Sequence, residues 1–389
     1  MFLTIIVFIV ILSVLVFVHE LGHFWVARKC GLIPEEFGFG YPPRAVGFYK
    51  NKEGKWCKLF GNNQAIDAAD TIYSINWVPI GGFVKLGEDE VAKEDANHFN
   101  NKPIWQRAAI LFAGVFMNFI LAAVLISVGF MVGLPQTIGD LGPSAQVSNK
   151  QIQVMEIIEN SPAQSADLKP GDIILGIDGV AMTSLDVMEK YVDEHKGEKL
   201  NYQIKRNEEN IEKEVTPELR KETNKGGIGV GIIESGVVRY PFFIAIWEGF
   251  KTSVLLTGAI LVAFYELIKG LFVGAGVSAD LAGPIGIAAL TGQVARMGFI
   301  YILQFTAILS INLAIINALP FPALDGGRLL FLLIEKIKGR PVKKEVEGTI
   351  HYIGFILLMI LVVLVTFRDV SKYAGSFKII FNNILNFFS

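Results

Sequence analysis

A chain of 389 residues, 52% hydrophobic and only 19% charged, with a mean hydropathy of +0.47, is too apolar for an ordinary soluble enzyme of this size. At a formal net charge of −2 no nucleic-acid partner is expected, and Cys30 and Cys57 are read as inert thiols of a reducing compartment rather than a disulfide.

The apolar residues are clustered. Residues 2–18, 108–132, 299–319 and 350–367 carry no charge, and each approaches or exceeds the roughly 20 residues that cross a bilayer as a helix. Four transmembrane helices are expected. The first run lacks a basic leader and a small-residue cleavage site, so it reads as a retained span and not a signal peptide.

Directly after that run stands His19-Glu20-Leu21-Gly22-His23. Residues four apart on a helix differ by about 40° of rotation and one turn of rise, so both imidazoles face one spot and can hold one zinc. Glu20 stays free to take a proton from activated water. By chance the His-Glu-x-x-His pattern arises in about one chain in a hundred of this length. Ionisable groups at membrane depth are costly and kept mostly for function, which disfavours the alternative of two packing histidines.

The loop that follows carries Arg28, Lys29, Arg44, Lys50, Lys52, Lys55 and Lys58, and the segment after the third run carries Arg328, Lys336, Lys338, Arg340, Lys343 and Lys344. Both are expected on the cytoplasmic side. In the first of these loops, two turn-rich clusters flank a small β-element over about 36–90, with Gly82 to Gly87 reading as a short exposed strand.

Residues 135–240 have the composition of a soluble domain and end in an acidic stretch that includes Glu208, Glu209, Glu212, Glu214, Glu218 and Glu222, which fits the opposite side. Ser161-Pro162-Ala163 followed by Gly171-Asp172-Ile173-Ile174-Leu175-Gly176-Ile177-Asp178-Gly179 resembles the core strand of a PDZ domain. Asp167-Leu168 stands where that family usually has glycine-leucine. A helix over 185–195 and a strand over 200–206 should follow. In 241–272 the charges Glu248, Lys251, Glu266 and Lys269 interrupt an apolar stretch, so interfacial helices over about 241–275 are expected there, not a fifth crossing.

A catalytic zinc takes three protein ligands and one open position. His98, His195 and His351 lie in contexts that suit ordinary surface or interface residues. Asp325 is the better third candidate: it lies just beyond the third apolar run, on the predicted side of the histidine pair, after prolines that break the helix.

His19 to His23 on the first span, with Asn317-x-x-Pro-x-x-x-Leu-Asp-Gly on the third, resembles the site-2 protease family of intramembrane metalloproteases, peptidase family M50. The bacterial, regulator of sigma-E protease type, is the most similar group, and the likeness covers essentially the whole chain. It implies a mainly α polytopic membrane protein with four transmembrane helices, a membrane-associated β-element and one inserted α+β PDZ-like domain, divided as 1–134, 135–240 and 241–389. It implies Zn²⁺ on His19, His23 and Asp325, Glu20 as catalytic base, and substrate contacts at Asn317 and at the strand Gly82, Phe83, Val84 and Lys85. Asp280 to Gly286 also matches a family segment, with no chemistry assigned.

An even number of spans puts both termini outside, and the expectation is an inner-membrane protein with its active site near the cytoplasmic side. Its substrates would be single-span membrane proteins such as trimmed anti-sigma factors or remnant signal peptides, and the PDZ-like domain would take a C-terminal peptide or act as a size filter. Members of this type typically carry two PDZ domains where this chain has one. A catalytically silent PDZ-containing membrane scaffold and a zinc transporter are the competing classes. The first is disfavoured because ligands and base are all present. The second is disfavoured because the middle spans offer chiefly Asn118, Gln304, Asn312 and Asn317.

Overall fold

The computed structural model describes residues 2–61, 63, 68–87, 98–139, 141–142, 144–206, 209–220, 225–273 and 282–388. Asp280, Leu281, Glu208 and Glu222 lie outside the described residues. The chain divides into two compact units, Met1–Ile126 with Gly249–Ser389, and Ser127–Glu248.

The first unit opens with α1, Phe2–Lys29. Its 28 residues reach about 42 Å, more than the ~30 Å hydrocarbon core. Three strands follow: β1, Glu36–Lys50; β2, Trp56–Phe60; and β3, Ile72–Lys85. They form one sheet in the order β2-β1-β3. Phe37 pairs with both Tyr73 and Val84, so β1 and β3 each double back on themselves and residues 82–85 lie at the sheet's edge. The sheet lies along α1. Phe37 stacks on Phe24 with ring centroids 4.6 Å apart, Phe17 packs against Phe37 and Phe39, and Ser13 Oγ donates to Pro79 O at 2.8 Å. The strand expected at Gly82 to Gly87 is the end of β3 at the sheet's edge, with Phe83 and Val84 half-buried and Lys85 exposed. Gly82 is buried, because Phe17 of α1 lies against it.

Helix α2 is Ile104–Val132. It crosses α1 closely: a Cβ on Gly22 would stand 2.4 Å from Ala113 O, so glycine at the centre of the His-Glu-x-x-His motif is what lets the two backbones meet.

The second unit is a seven-stranded sheet built from β4 (Leu134–Thr137), β5 (Gln146–Ile157), β6 (Ile173–Ile177), β7 (Val180–Ala181), β8 (Leu200–Arg206), β9 (Glu209–Val215) and, across a small separate hairpin of β10 (Glu218–Arg220) and β11 (Lys225–Gly227), β12 (Val230–Arg239). One short helix, α3 (Pro162–Ser165), and one longer helix, α4 (Leu185–Glu194), complete it. Ser184 caps α4 by accepting the Val187 N–H, as expected for serine before an apolar-periodic stretch. Ile174, Ile177, Met188, Val192, Tyr202 and Ile204 are buried together in its core. Asp167 sits at φ +57°, which explains why glycine suits this position in PDZ sequences; aspartate tolerates the left-handed region better than most residues.

Asp172, 1% exposed, is held by Arg206 through two bonds of 2.7 Å. Burial opposes its ionisation, and the guanidinium beside it outweighs burial, so its carboxyl titrates below the ordinary range. A depressed carboxylate contributes stability above its unfolded pKa of about 4, and that contribution is lost as pH falls through the lower folded value. Arg206→Ala strands a buried charge and is expected to cost about 3 kcal/mol at pH 7, read as faster hydrogen exchange of the β6 amides in the whole chain. The gap between parent and variant should close below about pH 4.

The chain returns through α5, Phe242–Val273. This corrects the expectation of several helices over 241–275: one unbroken 32-residue helix is present. The charges that suggested interruption do not break a helix, since no proline intervenes and Glu266 and Lys269 pair one turn apart at 3.1 Å. Among the described residues, five helices are thus long and apolar enough to cross a membrane, by length and composition, where four had been expected. Then come α6 (Pro284–Met297), α7 (Phe299–Ala318), α8 (Asp325–Lys338) and α9 (Lys344–Phe388). The last is longer than the expected 350–367, because Glu345 and Glu347 favour its first turn and nothing terminates it after 367.

Candidate zinc and peptidase site

His19 and His23 sit one turn apart on α1, both buried, with their rings edge to face at 4.7 Å. Asp325 reaches them from 306 positions away in sequence. Leu319 ends α7, and Pro320 and Pro322 forbid helical continuation. Ala323 then turns at φ +78°, and its N–H donates to His351 Nδ1 at 2.9 Å. Asp325 becomes the first residue of α8, where the helix dipole favours a carboxylate. The ion pair of Arg107 with Glu335, at 2.6 and 3.1 Å, ties α8 to α2.

The donor atoms converge. Asp325 Oδ2 lies 2.9 Å from His19 Nε2 and 3.4 Å from His23 Nε2, and the two Nε2 atoms are 3.1 Å apart. Ligands about 2.0–2.1 Å from a tetrahedral zinc stand roughly 3.3 Å from one another, so this triangle is the right size for one ion with a fourth position open. Two neutral imidazoles and one carboxylate are a donor set suited to zinc. Among the described residues no other group of three His, Cys, Asp or Glu side chains is so arranged.

Helix α2 supplies the floor. Ile110 O accepts from His23 Nδ1 at 2.8 Å, and a Cβ on Gly114 would stand 2.4 Å from His23 Nε2 and 2.8 Å from His19 Cε1. Both rings therefore occupy the space that the missing side chain leaves. Sequence reasoning passed over Gly114 and Ile110. Their signal is weak in one sequence: a glycine and an amide, Asn118, four residues apart on one face of an otherwise apolar run.

A cavity of about 560 Å³ opens on the metal side, lined by Glu20, His23, Val84, Lys85, Asp325 and Arg328 among others. Glu20 Oε2 accepts the N–H of Val84 at 3.1 Å, so the carboxylate touches the edge strand. Val84 and Lys85 thus face the cavity, whereas Gly82 and Phe83 pack into the sheet beside Gly38. Asn317 is half-buried on the last turn of α7 and is not among the cavity-lining residues. Of the other histidines, His98 caps a short turn, His195 caps α4, and His351 pins the bend before Asp325.

The model of peptidase family M50 matches residues 7–60 and 58–361. The chain belongs to that family of site-2 metalloproteases. Among curated members, it is 32% identical to the regulator of sigma-W protease RasP of Bacillus subtilis, covering 95% of this chain and 98% of that protein. It is 31% identical to the zinc metalloprotease RasP of Geobacillus kaustophilus, with the same coverage. Among solved structures, a PDZ domain of an SdrC-like protein from Listeria monocytogenes is 26% identical, covers 22% of this chain and 92% of that one, and superposes with a TM-score of 0.21. As a member of family M50 the protein is a multi-pass membrane zinc metalloendopeptidase.

Proposed function

We propose that the chain cuts single-span membrane proteins within their transmembrane segments, as the second step of a regulated proteolysis begun by trimming outside the membrane. One observation carries this reading: His19, His23 and Asp325 bring three donor atoms together beside a cavity that Glu20 also lines, and both histidines and Glu20 sit on a helix whose preceding 17 positions, 2–18, are uncharged. A relative named for the regulation of sigma-W fits anti-sigma factors as substrates; remnant signal peptides present the same chemistry.

His19, His23 and Asp325 would hold the zinc, and Glu20 would be the base. When bound, zinc supplies the Lewis acidity that polarises a carbonyl and makes water nucleophilic near neutral pH. Glu20 takes the water proton and returns it to the leaving amine. A helical substrate hides its carbonyls in hydrogen bonds, so it must be extended locally. The sheet edge at Val84 and Lys85 would pair with such a segment by strand addition, a substrate carbonyl taking the Val84 N–H from Glu20, with Asn317 steadying the backbone from α7.

The proposed topology rests on parity. Helices α1 and α7 end at the site, and α2 begins there. At the remote end, α6 meets the start of α1 where Gly292 approaches Thr4, and Gly286 N–H bonds Asp369 far along α9. The segment from α2 to α7 therefore starts and returns on the remote side. A single crossing by α5 breaks that parity, and α6, 14 residues long, is too short to restore it. These facts support an interfacial α5, four crossings, both termini outside, the domain of 135–240 outside, and a site near the positively flanked cytoplasmic face of the inner membrane.

The test is cleavage of an externally trimmed single-span substrate by the full chain in liposomes. Chelation should stop it, added zinc should restore it, and mass spectrometry should place the new ends inside the apolar segment. Cleavage confined to a soluble tail, or surviving chelation, would overturn the reading.

A further inference from the structure

We infer that Asn118 is the residue that sets the tautomer of His19, and so presents its Nε2 lone pair to the metal; this rests on the zinc reading above. Asn118 is completely buried on α2, and its amide lies 3.2 Å from His19 Nδ1. His19 Nε2 faces Asp325 Oδ2 and His23 Nε2, so for Nε2 to be a ligand its proton must sit on Nδ1. Nδ1 then needs an acceptor. The two ends of an asparagine amide are nearly indistinguishable by shape and are assigned from their partners. Oδ1, which otherwise has no partner, belongs toward His19, accepting from Nδ1–H. Turned away from His19, Oδ1 meets no donor, so no competing bond holds it from the imidazole.

His23 shows the same arrangement with a different acceptor, since its Nδ1 meets Ile110 O at 2.8 Å. Ile110, Gly114 and Asn118 are spaced four apart and share one face of α2. In order they offer a carbonyl to His23, an absent side chain where both rings pass, and an amide to His19. That face is complementary to His-x-x-x-His on α1. A neighbouring bond, Ser310 Oγ to Asn118 O at 2.7 Å, engages only the backbone of Asn118 and supplies an internal control.

The measurement is zinc affinity of the full chain in detergent, by competition with a chromophoric chelator, together with the ligand-field spectrum after Co²⁺ substitution. Partners of this kind typically change metal affinity 10–100-fold, and Asn118→Ala should weaken zinc by that factor and alter the cobalt spectrum. Asn118→Asp keeps an acceptor on Nδ1–H and should bind at least as tightly as the parent. Ser310→Ala should leave affinity unchanged. Parental affinity in Asn118→Ala would overturn the inference. So would weakened binding in Asn118→Asp, because a carboxylate repels an unprotonated Nδ1; this second variant decides the matter even where Asn118→Ala does not fold. A parent chain that takes up neither zinc nor cobalt would instead sink the metal reading itself.

Discussion

Glu20→Gln is expected to abolish cleavage of a membrane substrate while the chain keeps its zinc. Glu20 is not one of the three converging donors, so its replacement leaves the triangle of His19, His23 and Asp325 whole. What it removes is the group that accepts a proton, and general acid–base catalysis contributes about 10²–10⁴-fold. Glutamine is close to isosteric and can still accept the Val84 N–H that Glu20 now receives through its amide oxygen, so the edge strand should stay in place. Turnover in liposomes and metal content by elemental analysis check the two halves of the expectation separately. Parental turnover in this variant would remove Glu20 from the chemistry.

Asp325→Ala should act on the metal first. Asp325 Oδ2 is the only carboxylate oxygen within 3.4 Å of the two imidazole Nε2 atoms among the described groups. Its loss leaves a two-histidine site with no anionic donor, and zinc affinity should fall by more than the roughly 10–100-fold expected of an outer partner. Activity should fall with occupancy and return partly at high zinc. The variant should remain folded, because Arg107–Glu335 still ties α8 to α2 and the His351 bond still holds the bend at Ala323. Unchanged metal content would remove Asp325 from the ligand set and leave His19, His23 and Glu20 to be explained otherwise.

Local signals were legible where one helix or one strand carries the whole pattern. The strand expected within 171–179 is β6, Ile173–Ile177, and that expected over 200–206 is β8, because a short apolar run between glycine turns, or strict alternation, has few other solutions. Residues 241–275 were misread as interrupted because charge lowers hydropathy without breaking a helix, and α5 is continuous. The strand expected at 82–87 is present as far as Lys85, but its pairing with β1, some 45 positions earlier, was not legible from local alternation.

The candidate site divides in the same way. His19 and His23 are one turn apart, so helical periodicity alone places their rings together, and Glu20 comes with them. Those three residues, and the uncharged runs that bury them, were determined by sequence. That the carboxylate of Asp325 stands within 3.4 Å of both imidazoles, that Gly114 makes room for the rings, and that Ile110 and Asn118 face their Nδ1 atoms were decided only by tertiary structure. The physical reason is that a period of 3.6 residues relates neighbours on one helix, whereas contacts between helices depend on crossings set by packing along their whole lengths.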